Sequence, residues 1–159
     1  MLREFSMSFD GRLLERGFWL YVCEIKGPQC HYIYVGRTGD TSSPNASSPF
    51  RRIGQYLDPS PNAKGNALHK QLRKCGVACD ECSFQMIALG PVFPEQATFD
   101  AHVPYRNRMA TLERAVAEEL RYRGYVVLGE HPRIGVPDVS VFQEIQAILA
   151  ARFPGLASD

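Results

Sequence analysis

No apolar run in the 159 residues approaches the ~18 needed to cross a bilayer. Charge of one sign is also lacking: 18 Lys and Arg face 17 Asp and Glu, a net +1. That balance excludes a polycation coating nucleic acid through bulk charge. The first residues, MLREFSMSFDGRLLERG, carry charges throughout and lack the apolar core of a secretory signal. A soluble, cytoplasmic protein without a membrane partner is therefore expected. Cysteines number five, an odd count, in a chain long enough to bury about two-thirds of its unfolded surface without staples. Reduced thiols are the expectation. With 45% hydrophobic and 22% charged residues, the composition is that of a globular domain, not a disordered chain. There is no internal repeat, and the length suits one domain.

What is present is local. Residues 50–75 hold Arg51, Arg52, Lys64, Lys70, Arg73 and Lys74 against Asp58 alone, a local +5. Such a basic stretch on a near-neutral chain is either a solvated helix surface or a phosphate-binding face. Residues 1–16 read as a short amphipathic arm, with Phe9, Leu13 and Leu14 on one helical face and Asp10 as its cap. Residues 17–25 and 31–35 are rich in aromatic and β-branched types, and the turn between them makes a hairpin. Residues 39–49, GDTSSPNASSP, form a loop. A helix over 50–57 ends at Asp58 because the residue before Pro59 is pushed out of helical geometry. A second helix spans 66–75, with Leu68 and Leu72 inward and Gly76 closing it. Residues 83–89 read as a strand. The segment 91–107 carries three prolines and fits no single period. A helix over 108–123 buries Leu112, Ala115, Val116 and Leu120. A short strand over 125–128 and a final helix over 140–152 follow, the latter with Val141, Ile145, Ile148 and Leu149 inward. This order predicts an α+β (mixed α/β) domain.

Two constellations stand out. Arg52 and Tyr56 lie one turn apart and share a helix face. Glu113 is the second. Glu118 has Arg114 and Arg121 within a turn, and Glu119 has Arg123. Glu113 has only Met109, Ala110, Val116 and Ala117 at those positions, beside the apolar stripe. A carboxylate on the rim of a core needs a partner from elsewhere, such as an arginine or a metal.

From Gly17 to Leu128 the pattern resembles the GIY-YIG nuclease family. Trp19-Leu20-Tyr21 stands at the first motif and Tyr34-Val35-Gly36 at the second. The family arginine falls on Arg52, its following histidine or tyrosine on Tyr56, and its metal-binding glutamate on Glu113. The stretch 69–76 is similar to the central helix. Trp19 replaces the first motif's glycine. No asparagine follows Glu113 at the family spacing: residues 125–128 are Tyr-Val-Val-Leu, and the nearest polar residues are Glu130 and His131.

The resemblance implies a small central antiparallel three-stranded sheet flanked by helices. With the arm at 1–16, the nuclease-like domain is expected over 17–130, and a C-terminal helical extension over 131–159 is expected to pack on the same domain. It further implies a metal-dependent endonuclease hydrolysing phosphodiester bonds in DNA, with RNA left open. Glu113 would hold one Mg²⁺ or Mn²⁺, a Lewis acid toward the phosphoryl group. Arg52 would contact the scissile phosphate. Tyr21 would be the general base, its pKa of ~10 lowered by nearby cations. Tyr34 and Tyr56 would position water or the base. Arg37, Arg51, Lys70, Arg73 and Lys74 would contact substrate. The alternative is a catalytically inactive module of the same fold that binds nucleic acid or protein. A rival reading places Zn²⁺ on His69, Cys75, Cys79 and Cys82, although only Cys79 and Cys82 have the usual paired spacing. His31, His102 and His131 are isolated and read as surface or structural groups. Oligomeric state is open.

Overall fold

Strand β1 (Phe18–Lys26) is uniformly buried for its first six residues, which explains why FWLYVCEI shows no polar alternation: both faces of the strand are covered. A computed structural model describes residues 2–40, 45–132 and 135–154. Positions 41–44 of the Ser/Pro/Asn loop, 133–134, and 155–159 of the expected extension lie outside the described residues. The chain runs β1, β2 (His31–Arg37), α1 (Pro49–Leu57), α2 (Ala67–Lys74), β3 (Ser83–Phe93), α3 (Phe99–Tyr122), β4 (Val127–Leu128) and α4 (Val139–Ala150). Among the described residues no helix is long and apolar enough to cross a membrane.

The α+β class holds, but the sheet has four strands in the order β3-β1-β2-β4, not three. β1 pairs antiparallel with both β2 and β3. β4 lies parallel to β2 through Ile33 and Val127, and Tyr34 and Leu128. A two-residue strand carries too little pattern to reveal its direction.

The two faces of the sheet bury different helices. Phe18, Leu20, Val22, Ile33 and Val35 pack with Met109, Leu112, Val116 and Leu120 of α3 and with Ile145, Leu149 and Phe153 near the C-terminus. Tyr21, Cys23, Ile25, Tyr32 and Tyr34 pack on the other face with Tyr56, Leu68 and Leu72 of α1 and α2. Residues of 131–159 thus share the main core. In α4, Ile148 is half exposed rather than inward.

Helix α3 starts nine residues before its expected beginning. Thr98 caps it, accepting a hydrogen bond from the Ala101 N–H. Pro104 lies inside it, with no N–H to offer the Asp100 carbonyl one turn back. The proline broke the sequence pattern without breaking the helix. The arm, by contrast, shrinks to a 3₁₀ turn over Gly11–Leu14 with no buried residue. Phe9 lies outside it, its ring centroid 4.5 Å from that of Phe50. Without a buried face, nothing holds a longer helix there.

Candidate functional site

Strand register brings the tyrosines together. Tyr21 pairs with Gly36, and Cys23 with Tyr34, so both tyrosine side chains stand on one face of the sheet. A Cβ added at Gly36 would meet the Tyr21 ring at 2.5–2.6 Å. Glycine is required there because the ring lies flat across the neighbouring strand. Helix α1, capped by Ser48 and opened by Pro49, presents Tyr56 to both rings. Tyr56 lies 5.6 Å from Tyr34, edge to face, and 6.2 Å from Tyr21. The Arg52 guanidinium stacks 4.7 Å from the Tyr56 centroid.

Glu113 finds its partner across the fold: Arg37 Nε donates to Glu113 Oε2 at 2.8 Å, and the Glu113 side chain keeps 19% exposure. The carboxylate also lies within electrostatic reach of Asp40 and Arg52. Burial raises its pKa, with Arg37 pulling the other way. Arg37, Arg52, Tyr21, Tyr34, Tyr56 and Glu113 are therefore gathered in one place. Arg51, Lys70, Arg73 and Lys74 are exposed on α1 and α2.

Asp40 was missed in the sequence. It follows β2 inside a stretch that reads as a connector, and no spacing rule links it to Arg52. In the fold, Arg52 Nη2 donates to Asp40 Oδ2, and Tyr56 Oη donates to the same oxygen at 3.4 Å. Three buried polar atoms of this cluster have no hydrogen-bond partner among the described residues: Arg37 Nη1, Asp40 Oδ1 and Arg52 Nε. Buried polar groups are ordinarily paired, so three orphans side by side call for an explanation.

Tyr21 runs against the expectation of a lowered pKa. Tyr21 is fully buried, and burial, then Tyr56 and Tyr34, push it well above its ordinary value. Its Oη donates to the Arg37 carbonyl at 3.5 Å. Burial also raises Tyr34 and Tyr56. Unfolded phenols titrate near pH ~10. The stability these three contribute is full below that and drains as pH rises above it. Ultraviolet titration should therefore ionise only part of the seven tyrosines before a cooperative unfolding step releases the rest. Complete ionisation of all seven in the folded protein near pH ~10 would contradict this burial.

His131 lies against the same edge. Its Nε2 reaches the Val35 carbonyl at 3.3 Å, and Arg121 Nη2 donates to its Nδ1 at 3.1 Å. Those partners fix the Nε2–H tautomer, and burial lowers its pKa. His102 is fully buried, its Nε2 donating to the Gly39 carbonyl at 2.9 Å. Trp19, in the first-motif glycine position, is buried too.

The four residues of the rival zinc reading gather only in part. His69 Nδ1 and Cys79 Sγ are 3.3 Å apart. Cys82 Sγ donates to the Ala78 carbonyl, and Cys75 is exposed. Among the described residues no group of three or more His, Cys, Asp or Glu is placed to hold a metal ion. No family model matches this chain, and neither does a curated protein or a solved structure.

Proposed function

We propose that this protein is a metal-dependent endonuclease of the GIY-YIG type that hydrolyses phosphodiester bonds in DNA. The observation that carries the reading is a pair of guanidiniums, Arg37 and Arg52, each with a buried N–H that the described residues leave unmet, beside Glu113 and three clustered tyrosines. An anion with several oxygens, such as a phosphodiester, satisfies such donors.

Glu113 would hold the metal. A hard cation such as Mg²⁺ takes oxygen donors and keeps most of its waters, so one reachable carboxylate suffices. Glu113, still partly exposed, meets that need. When bound, the ion supplies Lewis-acid stabilisation of charge on the phosphoryl oxygens. The chain's own residues do the rest. Arg52 and Arg37 grip non-bridging oxygens and hold the linkage in place. Tyr56 and Tyr34 hydrogen-bond the attacking water. Tyr21 is the candidate base. In this state burial keeps its proton on, so it takes a proton only once added positive charge beside it lowers its pKa. The exposed Arg51, Lys70, Arg73 and Lys74 add sequence-independent contacts to the backbone, which salt weakens.

The full burial of Tyr21 favours a second reading, a fold that binds nucleic acid or protein without cutting it. A cleavage panel of plasmid, branched and single-stranded DNA separates the two. Cleavage of at least one form with Mg²⁺ or Mn²⁺, abolished by chelator, is the expected result. Binding without cleavage of any form favours the second reading.

A further inference from the structure

We propose that Asp40 is an internal stand-in for the substrate phosphate: its carboxylate occupies the Arg52 and Tyr56 donors until an incoming phosphodiester displaces it. The inference rests on the nuclease reading and adds a positioning residue to its site.

Asp40 meets Arg52 through one oxygen only. A structural arginine–carboxylate bridge is commonly bidentate, with two parallel bonds that meet both oxygens. Here one carboxylate oxygen, Oδ2, takes both Arg52 Nη2 and Tyr56 Oη. Arg52 Nη1 turns to Gln55 Oε1 at 3.0 Å. The Arg52 Nε and the Asp40 Oδ1 are buried and unmet among the described residues. Each orphan carries a desolvation cost. A phosphodiester brings two non-bridging oxygens and can meet the Nε that Asp40 leaves open. For Arg52 the exchange keeps the bond at Nη2 and adds one at Nε, while Asp40 gives up its bonds to Arg52 and Tyr56.

The backbone leading into Asp40 is fixed by the residues before it. Thr38, fully buried, accepts from the Trp19 N–H through Oγ1 at 2.8 Å, and its own N–H donates to the Trp19 carbonyl at 2.9 Å. Gly39 adopts φ +75°, a left-handed conformation that favours glycine, and a Cβ there would strike the Phe18 ring at 2.5 Å. His102 grips the Gly39 carbonyl. The residues just before Asp40 are thus pinned to β1 and α3, and the acid is delivered to Arg52 from a fixed base.

A competitor on the phosphate's own donors must weaken substrate binding. The test is equilibrium binding of a labelled duplex oligonucleotide in chelator, so that no cleavage intervenes. Asp40→Asn should bind about tenfold tighter than wild type. Glu144→Gln, which removes an exposed charge on α4, controls for net charge and should change affinity little. Arg52→Ala should bind more weakly than wild type. If Asp40→Asn binds no tighter than Glu144→Gln while Arg52→Ala still weakens binding, the stand-in is refuted and the nuclease reading survives. If Arg52→Ala binds as well as wild type, both fall. Should Asp40→Asn fail to fold, carbon NMR of the wild-type Asp40 carboxylate decides. Saturating duplex should move its resonance; an unmoved resonance refutes displacement.

Discussion

Glu113→Gln is expected to cut Mg²⁺-dependent DNA cleavage by roughly 10³-fold, a loss in the range for removing a group that stabilises transition-state charge. Binding of duplex in chelator should be at least as tight as in wild type. The substitution keeps the shape, and the amide oxygen can still accept from Arg37 Nε, which now donates to Oε2 at 2.8 Å. What is lost is the negative charge. The ion then has no carboxylate, while Arg37 becomes freer to grip phosphate. Single-turnover cleavage and chelator binding, measured on the same preparations, separate these effects. Equal cleavage by variant and wild type would remove Glu113 from the mechanism. Equal losses in binding and cleavage would make it a structural brace for Arg37.

The second large effect is on stability. Gly36→Ala should destabilise the fold by about 3 kcal/mol, at the top of the usual range for overpacking a core. For a chain of this length that lowers Tm by roughly 10 °C. The new Cβ would lie 2.5–2.6 Å from the Cε2, Cζ and Oη of Tyr21. Neither side can give way: the backbone at 36 is paired to β1, and Tyr21 is fully buried under Tyr56. Cutting Tyr21 back to Leu in the same chain should recover part of the loss, so that the double variant is more stable than the sum of the two singles. A Tm within about 2 °C of wild type for Gly36→Ala alone would mean that the ring is not seated as described.

The hairpin, the two short helices and the central part of α3 were legible because their patterns are local. Paired aromatic runs, Leu68 with Leu72, and Leu112 with Val116 and Leu120 each report a face that the fold then buries. Glu113 was legible through what it lacks: with no basic residue three or four positions away on its helix, its partner had to come from elsewhere, and Arg37 is 76 positions away. Other features had no local signal. The first nine residues of α3 were hidden by Pro104, whose cost the rest of the helix absorbs. The direction of β4 depends on a two-residue contact with β2. Asp40 follows a glycine in a loop, and its meeting with Arg52 exists only once α1 folds back over the sheet. The pKa of Tyr21 runs opposite to the sequence reading because nearby cations entered that reading and burial did not. Desolvation is the leading cause for all three phenols.

Conversion of supercoiled plasmid by wild type and by Arg52→Ala, with circular dichroism on both, tests the central claim most directly. Nicked or linear product from wild type in Mg²⁺, none in chelator, and little or none from a folded Arg52→Ala is the predicted result. Equal cutting by the two proteins, or cutting that survives chelation, would contradict it.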